Sequence, residues 1–214
     1  IKEQNRKTYN LLAQQYDQKC ATRKDFNGYV ISKFIKHVTT GKNILDIGCA
    51  VGLDISIFTQ LGYSVDGIDI SEKMVKLARQ KNPNTKIIIG DFMETTFDKL
   101  YDGIFAQAFI HLYPKSEVES VLKKIKSLLV LNGVAHITTS KSNESKEGWF
   151  VKDDYNGKHK RYRKFWTKEE LEKTLKRLDF QIADYFEIKC PFNKEWMVFT
   201  VKNEGDIHPT SYVA

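Results

Sequence analysis

The stretch Ile44–Gly52, which reads ILDIGCAVG, is the feature of this chain that most constrains its fold. An apolar run that ends in glycines is typical of a buried strand that enters a tight turn before a helix. Glycines stand at Gly48 and Gly52 with Ala50 between them, and Asp46 precedes them. The stretch therefore predicts a strand, a turn and a helix, with a carboxylate near the end of the strand.

The carboxylate decides which ligand suits this loop. Dinucleotide-binding loops follow the pattern G-x-G-x-x-G and bring backbone N–H groups to a pyrophosphate, which a fixed negative charge would repel. The pattern here is D-x-G-x-A-x-G. It favours a nucleoside with an amino-acid end, such as S-adenosylmethionine, because Asp46 suits an ammonium and the helix N-terminus near Gly52 suits a carboxylate. The alternative is that Asp46 only caps the turn.

Composition limits the protein class. The chain has 214 residues, of which 41% are hydrophobic and 29% charged, so it is long enough for one domain with a full core. It has no apolar run of about 18 residues and no signal-peptide pattern, so we expect a cytoplasmic protein without a membrane partner. The first residue, Ile1, suggests an incomplete start. The net charge of +7 favours an anionic partner.

The three cysteines are far apart in the sequence. Cys20, Cys49 and Cys190 lack the C-x-x-C spacing of metal sites and redox pairs. No cluster of carboxylates and asparagine suggests a magnesium site either. We therefore expect free thiols and no bound metal.

Strands and helices alternate along most of the chain. Two amphipathic helices precede the first strand, and one of them carries Tyr9, Leu12, Ala13 and Tyr16 on one face. The alternation predicts an α/β fold with a mostly parallel sheet and helices on both faces. A polar stretch at 140–164 follows, and a final hairpin makes the last strand antiparallel. The predicted strands are 43–47, 63–68, 85–89, 101–107, 134–139, 180–188 and 196–201.

Polar residues mark several helix starts. Ser71 is placed to cap the helix after the second strand. Ser116 with Glu119, and Thr167 with Glu170, have the spacing of capping boxes.

Polar side chains stand near the ends of four predicted strands. Open α/β sheets bind ligands beyond the carboxyl ends of their strands, where the strand order reverses. These side chains together indicate one ligand site at that edge of the sheet. They are Asp46, Asp69, Asp91 and Gln107.

The order of the elements and these four signatures resemble the class I S-adenosylmethionine-dependent methyltransferases. The resemblance covers roughly residues 9–201 and is closest to the small-molecule group, with methyltransferase domains of types 11 and 25. It implies a Rossmann-like seven-stranded sheet with a C-terminal antiparallel hairpin. It also implies S-adenosylmethionine as the cofactor, S-adenosylhomocysteine as its product, and no metal.

The expected domain organisation is a single methyltransferase domain at 1–203. Its parts are an N-terminal helical cap (1–40), a cofactor-binding core (41–140), a substrate-side insertion (141–166) and a C-terminal helix and hairpin (167–203), followed by a tail (204–214).

The resemblance assigns roles to the cofactor site. Asp69 would accept hydrogen bonds from the ribose hydroxyls, Asp91 would address the adenine amino group, and Gln107 would lie beside the methionine moiety. Alternatively, Asp91 is a turn residue, and the apolar members of the set are plain core. The implied residues are Tyr16, Asp46, Gly48, Cys49, Ala50, Gly52, Asp69, Ile70, Met74, Asp91, Phe92 and Gln107.

The methyl acceptor needs a proton-accepting group if it is a hydroxyl or an ammonium. His111, just past the fourth strand, is the candidate base, because the pKa of histidine lies near neutrality. Tyr16 resembles residues of an N-terminal helix that covers the transfer site. The alternatives are an ordinary loop histidine and a tyrosine stripe that packs the helix on the core.

Aromatic and basic residues of the segment 141–166 predict a substrate region. Arg161 or Arg163 suits a substrate carboxylate or phosphate, and the alternative is a solvated basic strand. The substrate-side candidates are Tyr9, Tyr113, Trp149, Arg161, Tyr162 and Arg163.

Three functions remain open. The first is methyl transfer to an O or N atom of a small-molecule acceptor, with an anionic acceptor favoured by the basic residues. The sequence Gln107-Ala108-Phe109 replaces the Asn/Asp-Pro-Pro-Tyr/Phe motif of enzymes that methylate base or glutamine amides, which disfavours those substrates. The second is RNA (tRNA) modification, suggested by the basic aromatic segment. The third is a non-catalytic cofactor-binding module. The sequence does not indicate an oligomeric state.

Overall fold

The computed structural model of the chain describes residues 1–154 and 157–205. Of the tail expected at 204–214, residues 206–214 lie outside the described residues. The helices are α1 (Lys2–Cys20), α2 (Lys24–Phe34), α3 (Leu53–Gln60), α4 (Glu72–Lys81), α5 (Lys115–Ser127) and α6 (Lys168–Arg177). The strands are β1 (Asn43–Ile47), β2 (Ser64–Asp69), β3 (Lys86–Ile89), β4 (Tyr101–Gln107), β5 (Leu129–Ser140), β6 (Lys146–Asp154), β7 (Gly157–Phe165), β8 (Phe180–Lys189) and β9 (Glu195–Asn203).

Seven strands form one sheet in the order β3-β2-β1-β4-β5-β9-β8. The pairs among β1 to β5 are parallel, and β9 is antiparallel to both β5 and β8. This order confirms the predicted mostly parallel sheet with a C-terminal antiparallel hairpin. The chain runs outward from β1 to β3 and then crosses back to β4, so the strand order reverses between β1 and β4. The carboxyl ends of these two strands border the crevice where such sheets bind ligands.

Both faces of β1 are buried, which explains why Ile44, Leu45 and Ile47 are all apolar. Leu45 and Ile47 pack in a cluster with α5 and α6 on one face of the sheet. Ile44 packs with residues of α2 and α3 on the other face. The helices on both faces therefore fix the end of β1, and with it the start of the glycine loop.

Two of the three predicted helix caps are confirmed. The Ser71 hydroxyl accepts a hydrogen bond from the Met74 N–H, and Thr167 accepts one from the Glu170 N–H. The box at Ser116 is wrong, because the helix-capping residue is Pro114, two residues earlier, and α5 begins at Lys115. The ring of Pro114 sets φ at −65° and prepares the helix start without a side-chain cap.

The polar stretch at 140–164 contains none of the strands that were predicted by periodicity, although a solvated basic strand was the alternative considered for its basic residues. It forms the antiparallel ribbon of β6 and β7. Charged side chains on both of its faces hide the two-residue period by which strands are recognised. The ribbon packs on α1, where the Tyr162 N–H donates to Asn5 Oδ1 at 3.3 Å and the Thr8 hydroxyl donates to the Lys160 carbonyl at 3.4 Å.

A buried lysine joins the ribbon to the C-terminal helix. Lys164 donates hydrogen bonds to Glu170 Oε2 at 2.8 Å and to the Ser145 hydroxyl at 2.6 Å. Only 1% of its side chain is exposed, so the charge is stable there because it is paired and hydrogen-bonded. The ribbon is therefore anchored at one end to α6 and along its length to α1.

Among the helices of residues 1–154 and 157–205, none has the length and apolar composition that crossing a membrane requires.

Candidate functional site

A cavity opens at the carboxyl ends of the parallel strands, at the point where the strand order reverses. The N-terminal helix α1 and the ribbon strand β7 also contribute to its wall. From the sheet side it is lined by Gly48, Cys49, Ala50, Val51, Ile68, Asp69, Ile70, Gly90, Asp91, Phe92, Gln107 and Thr138, among others. The sheet thus brings most of the predicted cofactor residues to one place.

The glycine loop after β1 has three residues with left-handed backbone. The φ angles are +71° at Gly48, +46° at Ala50 and +77° at Gly52. A Cβ atom on Gly52 would lie 2.6 Å from Asn82 Nδ2 and 3.1 Å from the Ala78 Cα atom, so glycine is required there by both conformation and space. Ala50 adopts its conformation at a cost of about 1 kcal/mol. This loop exposes backbone to the cavity because its side chains are absent or small.

Asp69 fastens the loop to the end of β2. Its Oδ2 atom accepts a hydrogen bond from the Ala50 N–H at 3.0 Å, and its Oδ1 atom accepts one from the Ser71 N–H at 2.8 Å. Burial raises the pKa of Asp69 to about 6. Each carboxylate oxygen can accept a second hydrogen bond, so Asp69 keeps acceptor capacity for a ligand in the cavity.

Asp46 lies outside the cavity wall. It is 2% exposed, and its Oδ2 atom has no hydrogen-bond partner in the part of the chain that the structure describes. Burial and the charges of Asp54 and Asp69 raise its pKa well above the usual value. Gly52 also lies behind the wall, since the adjoining residues Val51 and Leu53 line the cavity in its place.

Asp54 is a wall residue that sequence reasoning missed. It lies in the first turn of α3, and its Oδ1 atom accepts a hydrogen bond from Asn27 Nδ2 at 2.6 Å. Burial raises the pKa of Asp54 to about 6, and the nearby Arg23 opposes this effect. A carboxylate in the first turn after a glycine loop is favoured by the helix dipole, and this signal could have identified Asp54.

The adenine-side candidates form an apolar wall beside Asp91. Ile70, Met74 and Phe92 line the cavity, and the latter two are almost completely buried. Asp91 Oδ1 accepts a hydrogen bond from the Met93 N–H at 2.9 Å, as the turn alternative predicts, while Oδ2 is in an ion pair with Lys2. Asp91 therefore shapes its own turn and faces the cavity as well.

Gln107 is the last residue of β4, and its side chain lines the cavity. Its Oε1 atom is buried and has no hydrogen-bond partner within the described ranges. A buried acceptor without a hydrogen-bond donor destabilises the folded protein. A ligand with N–H or O–H groups would supply that donor.

His111 lines the cavity beyond β4, in a short 3₁₀ helix (Ile110–Leu112). Burial lowers its pKa well below the usual value, and the charges of Arg163, Lys152 and Lys194 lower it further. The imidazole is therefore neutral at neutral pH. Its ring centroid lies 6.1 Å from that of Trp196.

The structure places the remaining predicted residues in two groups. Tyr9, Tyr16, Tyr113, Arg161 and Arg163 line the cavity. Trp149 and Tyr162 do not line it and instead pack edge to face at 5.7 Å within the ribbon.

Tyr16 is held by a residue from the start of the second helix. Its hydroxyl accepts a hydrogen bond from Arg23 Nη1 at 3.1 Å. Other wall residues that sequence reasoning missed come from α2, the ribbon, the β8–β9 loop and the start of β9, whose positions in space no local pattern indicates. They include Asn27 of α2, Lys152 of the ribbon, Cys190, Phe192 and Lys194 of the loop, and Trp196 of β9.

The sequence of the core matches a known family. Residues 44–133 match the family model described as a methyltransferase domain. The ribosomal protein L11 methyltransferase of Thermotoga neapolitana is 28% identical over 122 residues, which are 53% of this chain and 46% of that protein. The dTDP-3-amino-3,6-dideoxy-alpha-D-glucopyranose N,N-dimethyltransferase of Streptomyces fradiae is 21% identical over 101 residues, which are 46% of this chain and 40% of that protein. The chain thus spans about half the length of these curated relatives.

The fold matches solved structures over nearly the whole chain. An S-adenosylmethionine-dependent methyltransferase from Clostridium acetobutylicum superposes with a TM-score of 0.71 at 17% sequence identity. The match covers 92% of this chain and 99% of that chain. The likeness at this identity concerns the fold.

The glycine loop provides a direct test of the site's backbone geometry. We expect Gly52→Ala to lower the free energy of unfolding by at least about 2 kcal/mol, because the new Cβ meets the α4 backbone and φ is positive. We expect Ala50→Gly to leave stability unchanged or to raise it by up to about 1 kcal/mol, because it removes the left-handed strain of alanine. Urea unfolding of both variants measures the two effects. Equal effects in the two variants would contradict the described loop.

Proposed function

We propose that this chain, whose residues 44–133 match a methyltransferase domain and whose fold resembles that of an S-adenosylmethionine-dependent methyltransferase, transfers a methyl group from S-adenosylmethionine to an O or N atom of a small-molecule acceptor. The observation that carries this proposal is the glycine loop, whose Ala50 N–H is hydrogen-bonded to Asp69. Other carboxylates lie beside this loop, and so does the Gln107 Oε1 atom, which has no hydrogen-bond partner among the described residues. These groups are hydrogen-bond acceptors and negative charges. They suit a ligand that brings hydroxyl donors and an ammonium group.

The residues present fit this cofactor. Asp69 has spare acceptor capacity for the ribose hydroxyls, and Ile70, Met74 and Phe92 provide an apolar surface for the adenine ring. Asp54 on the wall, with Asp46 behind it, supplies negative charge for the ammonium, and Gln107 Oε1 accepts one of its N–H groups. Asp46 was expected to contact the ammonium. In this proposal Asp54 is the carboxylate that contacts the ammonium, and Asp46 acts on it from behind the glycine loop.

When bound, S-adenosylmethionine supplies a methyl group that its sulfonium already activates, and transfer leaves a neutral thioether. The protein has to orient the acceptor atom, exclude water and receive a proton from an O–H or N–H group. Burial and the neighbouring cations hold the pKa of His111 low, so the imidazole is neutral and can receive that proton, while the same cations oppose the protonated form. Tyr16, held by Arg23, covers the transfer site from α1.

A small-molecule acceptor is supported by the cavity wall. Helix α1 and the ribbon contribute buried side chains to that wall, among them Arg161 and Arg163, each less than 10% exposed. The Streptomyces relative is named for methylation of a small sugar nucleotide. Both points favour an acceptor small enough to enter the covered cavity.

A macromolecular acceptor is the second candidate. On the outer face of the ribbon, Trp149 is 41% exposed and the Lys160 ammonium lies 5.6 Å from the centre of its ring. An exposed aromatic ring beside a cation suits a nucleic-acid base and phosphate. Salt-sensitive binding of transfer RNA that Trp149→Ala abolishes would support this candidate, and its absence would remove it.

Cofactor binding should depend on pH through the carboxylates of the cavity. The pKa of Asp54 and that of Asp69 are raised to about 6, so protonation removes charge from both as the pH falls. We expect the Kd of S-adenosylhomocysteine, measured by calorimetry, to rise at least about tenfold from about pH 7.5 to about pH 5. Asp54→Asn should weaken binding about tenfold at neutral pH and flatten this profile.

The matched control for this measurement is Asp98→Asn, because Asp98 is exposed and distant from the wall. It should bind S-adenosylhomocysteine as the unaltered protein does. No measurable binding by the unaltered protein at any pH would overturn the proposed cofactor. Binding without turnover on any acceptor would instead support a non-catalytic module.

The base assignment is tested at His111. We expect His111→Gln to lower kcat by about a hundredfold or more, because the proton of the acceptor loses its recipient. The affinity for S-adenosylhomocysteine should stay within about twofold of the unaltered protein. In the unaltered protein the rate should rise with pH through the lowered pKa of His111 and then level off. An equal rate and pH profile in the variant would reject His111 as the base.

A further inference from the structure

Asn27 of helix α2 places a buried amide group in the wall of the cavity. The residue is 5% exposed, and its Nδ2 atom donates a hydrogen bond to Asp54 Oδ1 at 2.6 Å. Its Oδ1 atom is buried and has no hydrogen-bond partner within residues 1–154 and 157–205. The nitrogen of this amide is therefore paired, and the oxygen is not.

The hydrogen bond to Asp54 determines which way the amide points. An amide nitrogen donates hydrogen bonds, whereas an amide oxygen and a carboxylate oxygen only accept them. If the amide of Asn27 were turned over, its oxygen would face the Asp54 carboxylate, and the two acceptors would repel each other. The nitrogen therefore faces Asp54, and the oxygen is left for a donor from another source.

The neighbouring carboxylate narrows the chemistry of that donor. A cationic N–H group is attracted by Asp54 and can also donate to the Asn27 oxygen, so it suits both groups better than a neutral hydroxyl does. A primary ammonium has three N–H donors. In the proposed function Asp54 and Gln107 Oε1 accept two of them, and one donor is left over for Asn27 Oδ1.

Asn27 also favours the charged form of Asp54. Burial raises the pKa of Asp54 to about 6, and the hydrogen bond from Asn27 opposes this increase more than the charge of Arg23 does. Burial also raises the pKa of the two nearby thiols, which are therefore neutral at neutral pH. The further titratable groups close to Asp54 are thus Asp46 of β1, Cys20 of α1 and Cys49 of the glycine loop.

We propose that Asn27 binds the ammonium of the cofactor: its Oδ1 atom accepts one N–H group, and its Nδ2 atom holds the Asp54 carboxylate that the same ammonium contacts. The inference rests on the proposed function and adds a residue to the same site. It makes α2 a part of the cofactor site, which the sequence assigned to the edge of the sheet and to α1. The N-terminal cap then recognises the amino-acid end of the cofactor.

The test compares two nucleosides that differ in one group. S-adenosylhomocysteine has the ammonium, and its desamino analogue has hydrogen in that place but keeps the nucleoside and the carboxylate. Calorimetry measures the Kd of both for the unaltered protein and for Asn27→Leu, which keeps a branched side chain and removes its polar atoms. We expect Asn27→Leu to weaken binding of S-adenosylhomocysteine by about tenfold or more. The Kd of the desamino analogue should stay within about threefold.

The pH dependence of binding provides a second readout. Without the N–H donor of Asn27, the pKa of Asp54 rises, so its charge is lost at a higher pH. The pH at which half of the affinity for S-adenosylhomocysteine is lost should therefore move upward by about one unit in Asn27→Leu. If Asn27 only packed α2 on the core, its replacement would lower stability and leave this pH unchanged.

The matched control is Ser32→Ala. Ser32 is an exposed residue of the same helix, and its hydroxyl donates a hydrogen bond to the Tyr29 carbonyl. This variant should bind both nucleosides as the unaltered protein does. Asn27→Ala, which adds no bulk, repeats the measurement if Asn27→Leu does not fold.

The outcomes separate this inference from the proposed function. Normal binding of S-adenosylhomocysteine by the unaltered protein, with no loss in the Asn27 variants or with an equal loss for both nucleosides, overturns the role of Asn27 alone. Failure of both variants to fold shows that Asn27 supports the structure and also overturns that role. No binding of S-adenosylhomocysteine by the unaltered protein overturns the proposed function.

Discussion

The hydrogen bond from the Ala50 N–H to the Asp69 carboxylate is the interaction on which the site depends. It ties a loop with left-handed backbone at Gly48, Ala50 and Gly52 to the end of the neighbouring strand. The Gly48 and Cys49 N–H groups also donate to the Ile68 carbonyl, at 2.8 and 3.1 Å, and hold the start of the same loop against β2. With these bonds, the ends of both strands face the same cavity, and α3 starts with its N-terminus beside them.

The same carboxylates make the ligand-free site electrostatically unfavourable. Asp46, Asp54 and Asp69 are buried close together, and burial raises the pKa of each. A carboxyl group whose pKa is higher in the folded than in the unfolded chain stabilises the fold at low pH. For Asp54 and Asp69 that contribution is lost as the pH rises from about 4 through about 6. A bound ammonium lowers these pKa values and restores the lost stability, so cofactor binding and stability are linked.

The core of the fold could be predicted because its sequence signals are local. An unbroken apolar run predicts a strand buried on both faces, and a serine or threonine cap predicts a helix start. Pro114 shows the limit, because a proline that presets the helix backbone replaced the expected cap at Ser116. The ribbon was missed for a different reason. Its buried positions include Arg161 and Lys164, and the burial of a charged residue depends on partners that the folded structure brings to it, as with Glu170 and Ser145 for Lys164.

The candidate site was predictable in part on the same grounds. Residues at strand ends, such as Asp69 and Gln107, were found because strand ends of a parallel sheet converge. Lys194 and Trp196 could not be found, because only the pairing of β9 with β5 brings the start of β9 and the preceding loop towards His111. Asp46 has the negative charge that was expected near the end of β1, but the carboxylate that lines the cavity is that of Asp54.

A crystal structure with S-adenosylhomocysteine tests the central claim most directly. The account predicts ribose hydroxyls hydrogen-bonded to Asp69, the ammonium within hydrogen-bond distance of Asp54 or Gln107 Oε1, and the sulfur facing His111. Density for the nucleoside outside the glycine loop, or an Asp54 carboxylate that contacts only Asn27 while the ammonium points to solvent, would contradict it.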